Sequence, residues 1–252
     1  MVSTGHAAAL RNNPWRNNPM INVVILGGKG GGTLAAQTVL ALSSAYGSHR
    51  LIGYLNDRLE IGTQLHGGAV VGRFEDWARF EGDVKFVAPL HKAGAMQENA
   101  GRIAGLAVPA TRWTTLIDPM SNVAEDARLG RGSVVSAAAQ IGPNSSIGRH
   151  CYLRAGAIVS HDVVVSGNVY LGHRSVVLGN CRIGTGAYIA PGAIIRDGIS
   201  VGKFALVGMG AVVTQDVPPF AIVRGVPARI TGTVTPADWP AEDPVRRFGV
   251  GP

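Results

Sequence analysis

Aliphatic residues recur at every sixth position through the middle of the chain. From Val123 to Pro218 the sequence divides into sixteen consecutive hexads with no insertion, and each begins with Ile, Leu or Val: Val123, Leu129, Val135, Ile141 and so on to Val213. The fifth residue of each hexad is small or β-branched, as in Ala127, Ser133, Ala139, Ser145, Cys151 and Ala157. A period of six fits neither the 3.6 of a helix nor the 2 of a two-sided strand, and it marks a parallel β-helix. Each hexad gives one short strand and a corner, and three close a triangular coil, so the array predicts about five coils. Glycine in second place (Gly130, Gly142, Gly148, Gly172, Gly184, Gly202, Gly208) suits tight corners.

The flanks read differently. Residues 1–20, rich in Asn, Pro and Arg, are expected to be a disordered tail. Residues 21–112 open with an apolar strand, Ile21 to Leu26, then the glycine-rich turn Gly27–Gly32, then a helix from Thr33. Strand, glycine turn and helix begin a doubly wound unit whose helix N-terminus offers free N–H groups to an anion. A second strand ends at Asn56 and Asp57, placed to meet a ribose or base; Lys85 to Ala88 reads as a further strand and Lys92 to Ile103 as a helix. This unit is half of a dinucleotide fold, sized for a mononucleotide or a nucleotide sugar. Residues 113–230 hold a short link, the coils and a closing segment from Pro219 to Arg229, expected to cross the open end and shield its strand edges. Residues 231–252 read as a loose tail.

A net charge of +7 and a pI near 9.9 favour acidic partners. The basic residues are scattered without aromatic interleaving, which argues against nucleic acid. Cys151 and Cys181 occupy small inward positions five hexads apart, on different faces, so no disulfide is expected. No apolar run is long enough to span a membrane and no secretory leader is visible, so a cytoplasmic setting is expected.

The hexads, the run Gly208–Pro218 and the closing Gly225-Val-Pro-Ala-Arg229 resemble the hexapeptide-repeat acyltransferases. With the glycine turn, Asn56, Asp57 and the sequence Ser160-His161-Asp162, the chain is similar to bacterial nucleotide-sugar N-acetyltransferases of the bacillosamine and perosamine type and their sialic-acid O-acetyltransferase relatives. The resemblance implies a left-handed β-helix behind the half-Rossmann-like α/β unit. It also implies a homotrimer, acetyl-CoA as co-substrate without a metal, and a nucleotide-linked amino sugar as acceptor in surface-glycan synthesis. His161 matches the catalytic base and Asp162 its orienting acid, while Gly179 falls where a backbone N–H holds the thioester carbonyl. Gly27, Gly28, Lys29, Gly30, Gly31, Gly32, Asn56 and Asp57 match the nucleotide-holding segments. Tyr170, Gly208, Ala211, Lys203 and Arg229 are the remaining candidates for the cofactor, with Arg224 beside them. The chain departs from the family pattern in four places: Gly31 and Tyr170 stand where histidines are usual, Asn56 replaces an acid, and Ala88-Pro-Leu-His-Lys92 stands where the family has an Ile-Gly-Asn-like nucleotide contact.

A histidine with a pKa near 6.5 suits removal of a proton from an attacking amine. His173 is expected to support the trimer or line the cofactor channel, and His150 to be exposed. A zinc site of the carbonic-anhydrase type fits poorly, because His150, His161 and His173 are eleven and twelve residues apart. A non-catalytic scaffold would need no His-Asp pair at a corner. Nothing in the sequence separates an amine from a hydroxyl acceptor.

Overall fold

The structure is a computed structural model that describes residues 20–235; the expectations for residues 1–19 and 236–252 lie outside that range. The α/β unit is built from β1 (Ile21–Leu26), α1 (Gly31–Tyr46), β2 (His49–Leu55), β3 (Gln64–Leu65), β4 (Gly68–Gly72), β5 (Lys85–Val87) and α2 (Met96–Gly105). Its sheet runs β3-β4-β2-β1-β5; β1 is parallel to β2 and β5, and β3 and β4 form a hairpin. Val23, Val24, Ile25 and Leu26 are all fully buried, since β1 is covered on both faces and carries a continuous apolar run. α2 starts four residues later than the sequence suggests: Pro89 and Gly94, the latter at φ 78°, hold 89–95 out of a helix.

The hexads form a left-handed parallel β-helix of three faces. The first face stacks Leu116–Ile117, Val134–Val135, Tyr152–Leu153, Tyr170–Leu171, Tyr188–Ile189 and Leu206–Val207. The second stacks Asn122–Val123, Gln140–Ile141, Ile158–Val159, Val176–Val177, Ile194–Ile195 and Val212–Val213, and the third runs from Arg128–Leu129 to Ser200–Val201. Strands pair in register at 18 residues, as in Gln140 with Ile158. The array therefore begins one hexad earlier than the repeat suggested, inside the stretch read as a link. The first residue of each hexad fills the prism, and buried Ser133 and Ser145 return their hydroxyls to the carbonyls of Gly148 (2.9 Å) and Ser160 (2.7 Å). Cys151 and Cys181 are free, buried and on different faces.

The corners work differently from the expectation. A Cβ on Gly148 would stand 2.5 Å from the next coil's backbone, so second-place glycines answer to coil spacing. The left-handed backbone sits instead at the fourth residue of the hexad: Ala138, Asn144, His150, Asp162, Asn168, Arg174, Asn180 and Phe204 all have φ between 54° and 59° or close to it. Asn and Asp tolerate that conformation best among residues with side chains.

The outward residues Leu116, Val134, Tyr152, Tyr170 and Tyr188 of the first face join α1 and the sheet in one apolar cluster. The closing segment does not leave the coils. Ala221–Arg224 extends the first face in parallel and Arg229–Thr233 pairs back on it, so residues 231–233 belong to a strand and not to a tail. Val217 bridges Val201 on the third face, and Ala228 N–H donates to Val212 O (2.8 Å) on the second, so each face is closed.

Candidate active site

His161 and Asp162 occupy the corner between the second and third faces. Asp162 has φ 56°, which turns its carboxylate back toward the neighbouring imidazole, and His161 Nδ1 lies 2.8 Å from Asp162 Oδ2. Asn144, one coil away at the same corner, donates from Nδ2 to the other oxygen of Asp162. The hydrogen bonds from His161 and then Asn144 hold the Asp162 carboxyl below the usual carboxylate range. An ionised acceptor at Nδ1 selects the tautomer with the proton there and the lone pair on Nε2. Backbone bonds from Asp162 N to Pro143 O (3.1 Å) and from Asn180 N to His161 O (3.2 Å) tie the pair to the coils on either side. Both side chains remain open to solvent, 52% and 41% exposed, so a substrate can reach Nε2.

Gly179 occupies the equivalent corner one coil on. A Cβ there would lie 2.6 Å from His161 Cε1 and 2.7 Å from Nε2, so the absent side chain is what lets the imidazole lie flat against this coil. The Gly179 N–H is engaged: it donates to Asp197 Oδ1 at 3.0 Å. Any other acceptor must compete with that carboxylate to reach it. Directly past this corner, a groove of about 500 Å³ runs along the third face between Val164, Arg182, Ser200, Asp216 and Pro218.

The other cofactor candidates do not gather around His161 within one chain. Tyr170 lies on the first face, opposite the His161 corner, buried and stacked on Tyr188 at 4.4 Å. This is a structural position under the α/β unit and not a cofactor contact. Ala211 is fully buried in the prism and its carbonyl accepts from Ile194 N, so it too is core. Gly208 lies at the corner between first and second faces, where a Cβ would press on Arg224 at 2.8 Å. Lys203 sits over the Phe220 ring (5.8 Å) at the third corner, and Arg229 is exposed on the closing strand. His150, His161 and His173 occupy three different corners. Among the described residues no three His, Cys, Asp or Glu side chains converge as a metal site.

At the glycine turn, Gly27–Gly32 delivers the chain into α1. No side chain caps this helix and no acid stands in its first turn, so its partial positive charge is uncompensated beside exposed Lys29, although the Thr33 N–H already donates to Gly28 O (3.1 Å). Gly28 and Gly31 have no room for side chains: a Cβ would meet Asn56 Nδ2 at 2.5 Å and the Pro89 carbonyl at 2.6 Å. The sequence places Asn56 to meet a base or ribose, but its side chain is engaged within the turn instead. Its amide donates to Gly27 O (3.0 Å) and its oxygen accepts from Arg58 N and Leu59 N (2.9 and 2.8 Å), which makes it the staple of the turn. Asp57 accepts from Phe74 N (2.8 Å) and pairs with Arg102, so it too is committed inside the unit.

The sequence reading also missed a cluster where the two units meet. His150 is not exposed: its ring meets Trp113 edge-on at 4.6 Å, and its carbonyl accepts from His91 Nε2 (2.8 Å). Tyr152 reaches from the first face to Gly31 O at 3.4 Å and carries Arg154 over its ring. Tyr152, Tyr170 and Tyr188 recur at 18 residues, the coil length, which was the available signal that one face is covered.

The model for the bacterial transferase hexapeptide, six repeats, matches residues 162–197. No curated protein matches the chain by sequence. Among solved structures, the acetyltransferase domain of PglB from Neisseria gonorrhoeae FA1090, in complex with acetyl coenzyme A, is 25% identical with a TM-score of 0.73, covering 84% of this chain and 100% of its own. PerB from Caulobacter crescentus, in complex with CoA and GDP-perosamine, is 26% identical with a TM-score of 0.73 over 85% of this chain and 99% of its own. WeeI from Acinetobacter baumannii AYE is 25% identical, TM-score 0.69, over 84% and 100%.

Proposed function

We propose that this chain, a hexapeptide-repeat acyltransferase, moves the acetyl group of acetyl-CoA onto the amine of a nucleotide-linked amino sugar, in the cytoplasm and toward surface-glycan synthesis. The observation that carries the reading is the His161–Asp162 pair, with Nδ1 committed to a carboxylate and Nε2 open beside Gly179. The likeness to PerB and to the PglB domain, which bind CoA with GDP-perosamine and acetyl coenzyme A respectively, supports the choice of co-substrates.

In this reading the neutral amine attacks the thioester carbonyl while His161 Nε2 takes its proton, and Asp162 holds the imidazole and steadies the charge that forms on it; collapse of the tetrahedral intermediate breaks the C–S bond and expels CoA, whose thiolate takes the proton back from His161. The Gly179 N–H stabilises the oxyanion once Asp197 yields it. The groove beside Val164 gives the pantetheine arm a path to Nε2. The glycine turn and the α1 N-terminus hold the nucleotide phosphates through backbone N–H groups, since Asn56 and Asp57 are spent on the fold.

The working unit is a homotrimer. Ile158, Val176, Ile194 and Val212 form an outward apolar stripe on the second face, with Ile194 38% exposed, and Val164 across the corner is 41% exposed. These residues flank His161 on both sides, and a second copy covering them closes the site. The same packing is the means by which Gly208 and Lys203, at other corners, and Arg229, on the closing strand, reach a molecule held at His161. Ile194→Arg is expected to give a monomer by light scattering and to lower kcat at least about tenfold, because a charge cannot be desolvated at that contact without a partner. A trimer with full activity would remove this assembly from the account.

Asp162→Asn keeps a residue that accepts the left-handed backbone but removes the ionised acceptor. It is expected to cut kcat by roughly 10- to 100-fold with little change in KM. The acceptor atom is read from the product: an N-acetyl amide survives mild alkali and an O-acetyl ester does not, so alkali-labile product would move the assignment to a hydroxyl.

A further inference from the structure

Among the described residues, one buried charge between the two units has no carboxylate partner. Arg154 is 6% exposed, with its guanidinium 4.7 Å from the centre of the Tyr152 ring and 5.9 Å from that of Tyr170. Its side chain's one hydrogen-bond partner among the described residues is His173 Nε2, 3.2 Å from Nη2. The ion pairs among those residues are Arg79–Asp76, Arg102–Asp57 and His161–Asp162, so no carboxylate lies within 4.0 Å of Arg154. The adjacent His91 is held neutral by burial and offers no negative charge. Aromatic faces offset only part of the cost of taking a guanidinium out of water. The position points at the glycine turn, because the Tyr152 hydroxyl under Arg154 donates to Gly31 O at 3.4 Å, at the start of the uncapped 16-residue helix α1. The start of α1 and a buried arginine without a carboxylate partner among the described residues thus both touch one tyrosine, from two different units.

We propose that Arg154, supported by His173, is a specificity-determining residue that binds an oxyanion of the acceptor at the glycine turn. A guanidinium offers paired N–H groups that match a phosphate or a carboxylate in bidentate fashion. The anion is either the diphosphate of the nucleotide or a carboxylate on the sugar. The proposal rests on the reading that the acceptor lies at this turn, but its test measures binding and not turnover, so the two fail separately.

Calorimetric titration of the full chain with inorganic pyrophosphate, UDP, GDP and glucuronate decides it, with uridine as the uncharged control. The expected result is that at least one anion binds and that Arg154→Gln weakens it by about tenfold or more, with uridine unchanged. Arg154→Lys, which keeps the charge without the fork, is expected to recover part of that loss. Weakening confined to the phosphate probes assigns the diphosphate; weakening confined to glucuronate assigns a sugar carboxylate. His173→Gln, a change at an exposed side chain, provides the second variant should Arg154→Gln fail to fold, and is expected to weaken the same probe. Binding of every probe within twofold of the wild type in these variants, or no binding of any anion by the wild type at millimolar concentration, overturns the proposal.

Discussion

His161→Ala is expected to lower kcat by about 10³-fold, inside the range of roughly 10²–10⁴ that a positioned general base supplies. The fold should not notice the change. The side chain is 52% exposed and its polar contact is with Asp162, so its removal opens no cavity in the prism. Melting temperature and CoA affinity are therefore expected to stay at wild-type values, which separates a lost base from a lost structure. His161→Gln should fare no better, because an amide at Nε2's position cannot take the proton. Activity within tenfold of wild type in either variant would exclude His161 as the base.

Acid should unfold the chain well above the usual carboxylate range. His49 is buried, and His91 and His150 are half-buried with Nδ1 shut off from water; desolvation lowers their pKa values from 6.5 to about 4, about 4 and about 3 respectively. For His150 the adjoining His91 and Arg149 add to the effect. The sign follows from where protons bind. Below pH 6.5 the unfolded chain protonates all three rings while the folded chain does not, so protons favour unfolding. Stability is thus at its fullest above pH 6.5 and falls as pH drops toward about 4, with a slope near 1.4 kcal/mol per pH unit for each histidine. At the full slope the combined loss over that window reaches about 10 kcal/mol, comparable to the whole stability of an ordinary domain. Urea midpoints between pH 7.5 and 4.5 measure it, and His91→Gln should shallow the slope by the equivalent of one proton. A flat profile from pH 6.5 to 5 would contradict the neutral, buried state of these rings.

The coils were legible because every hexad repeats one packing solution. An aliphatic first residue can only face the prism, and sixteen of them in register leave no other fold. His161 and Asp162 were legible for a related reason, since a polar pair at a corner has nowhere to point but outward. What escaped was set by contacts distant in sequence. Asn56 and Asp57 look like ligand-facing residues at a strand end, yet the backbone of residues 58–59 and 74 and the side chain of Arg102 claim them. Tyr170 looks like a site residue until α1 is laid over the first face. His150 looks exposed at a corner until Trp113 and His91 pack against it. The hairpin of β3 and β4 was hidden by a short, glycine-rich sequence whose strand character comes from pairing with β2.

The most direct test of the account is thiol release from acetyl-CoA, measured with the full chain against UDP-, GDP- and dTDP-linked amino sugars. The account requires release with at least one of them, dependent on the sugar's amine, and its loss in His161→Ala. Absence of release with every amino sugar, together with no measurable binding of CoA, would contradict the transferase reading at its root.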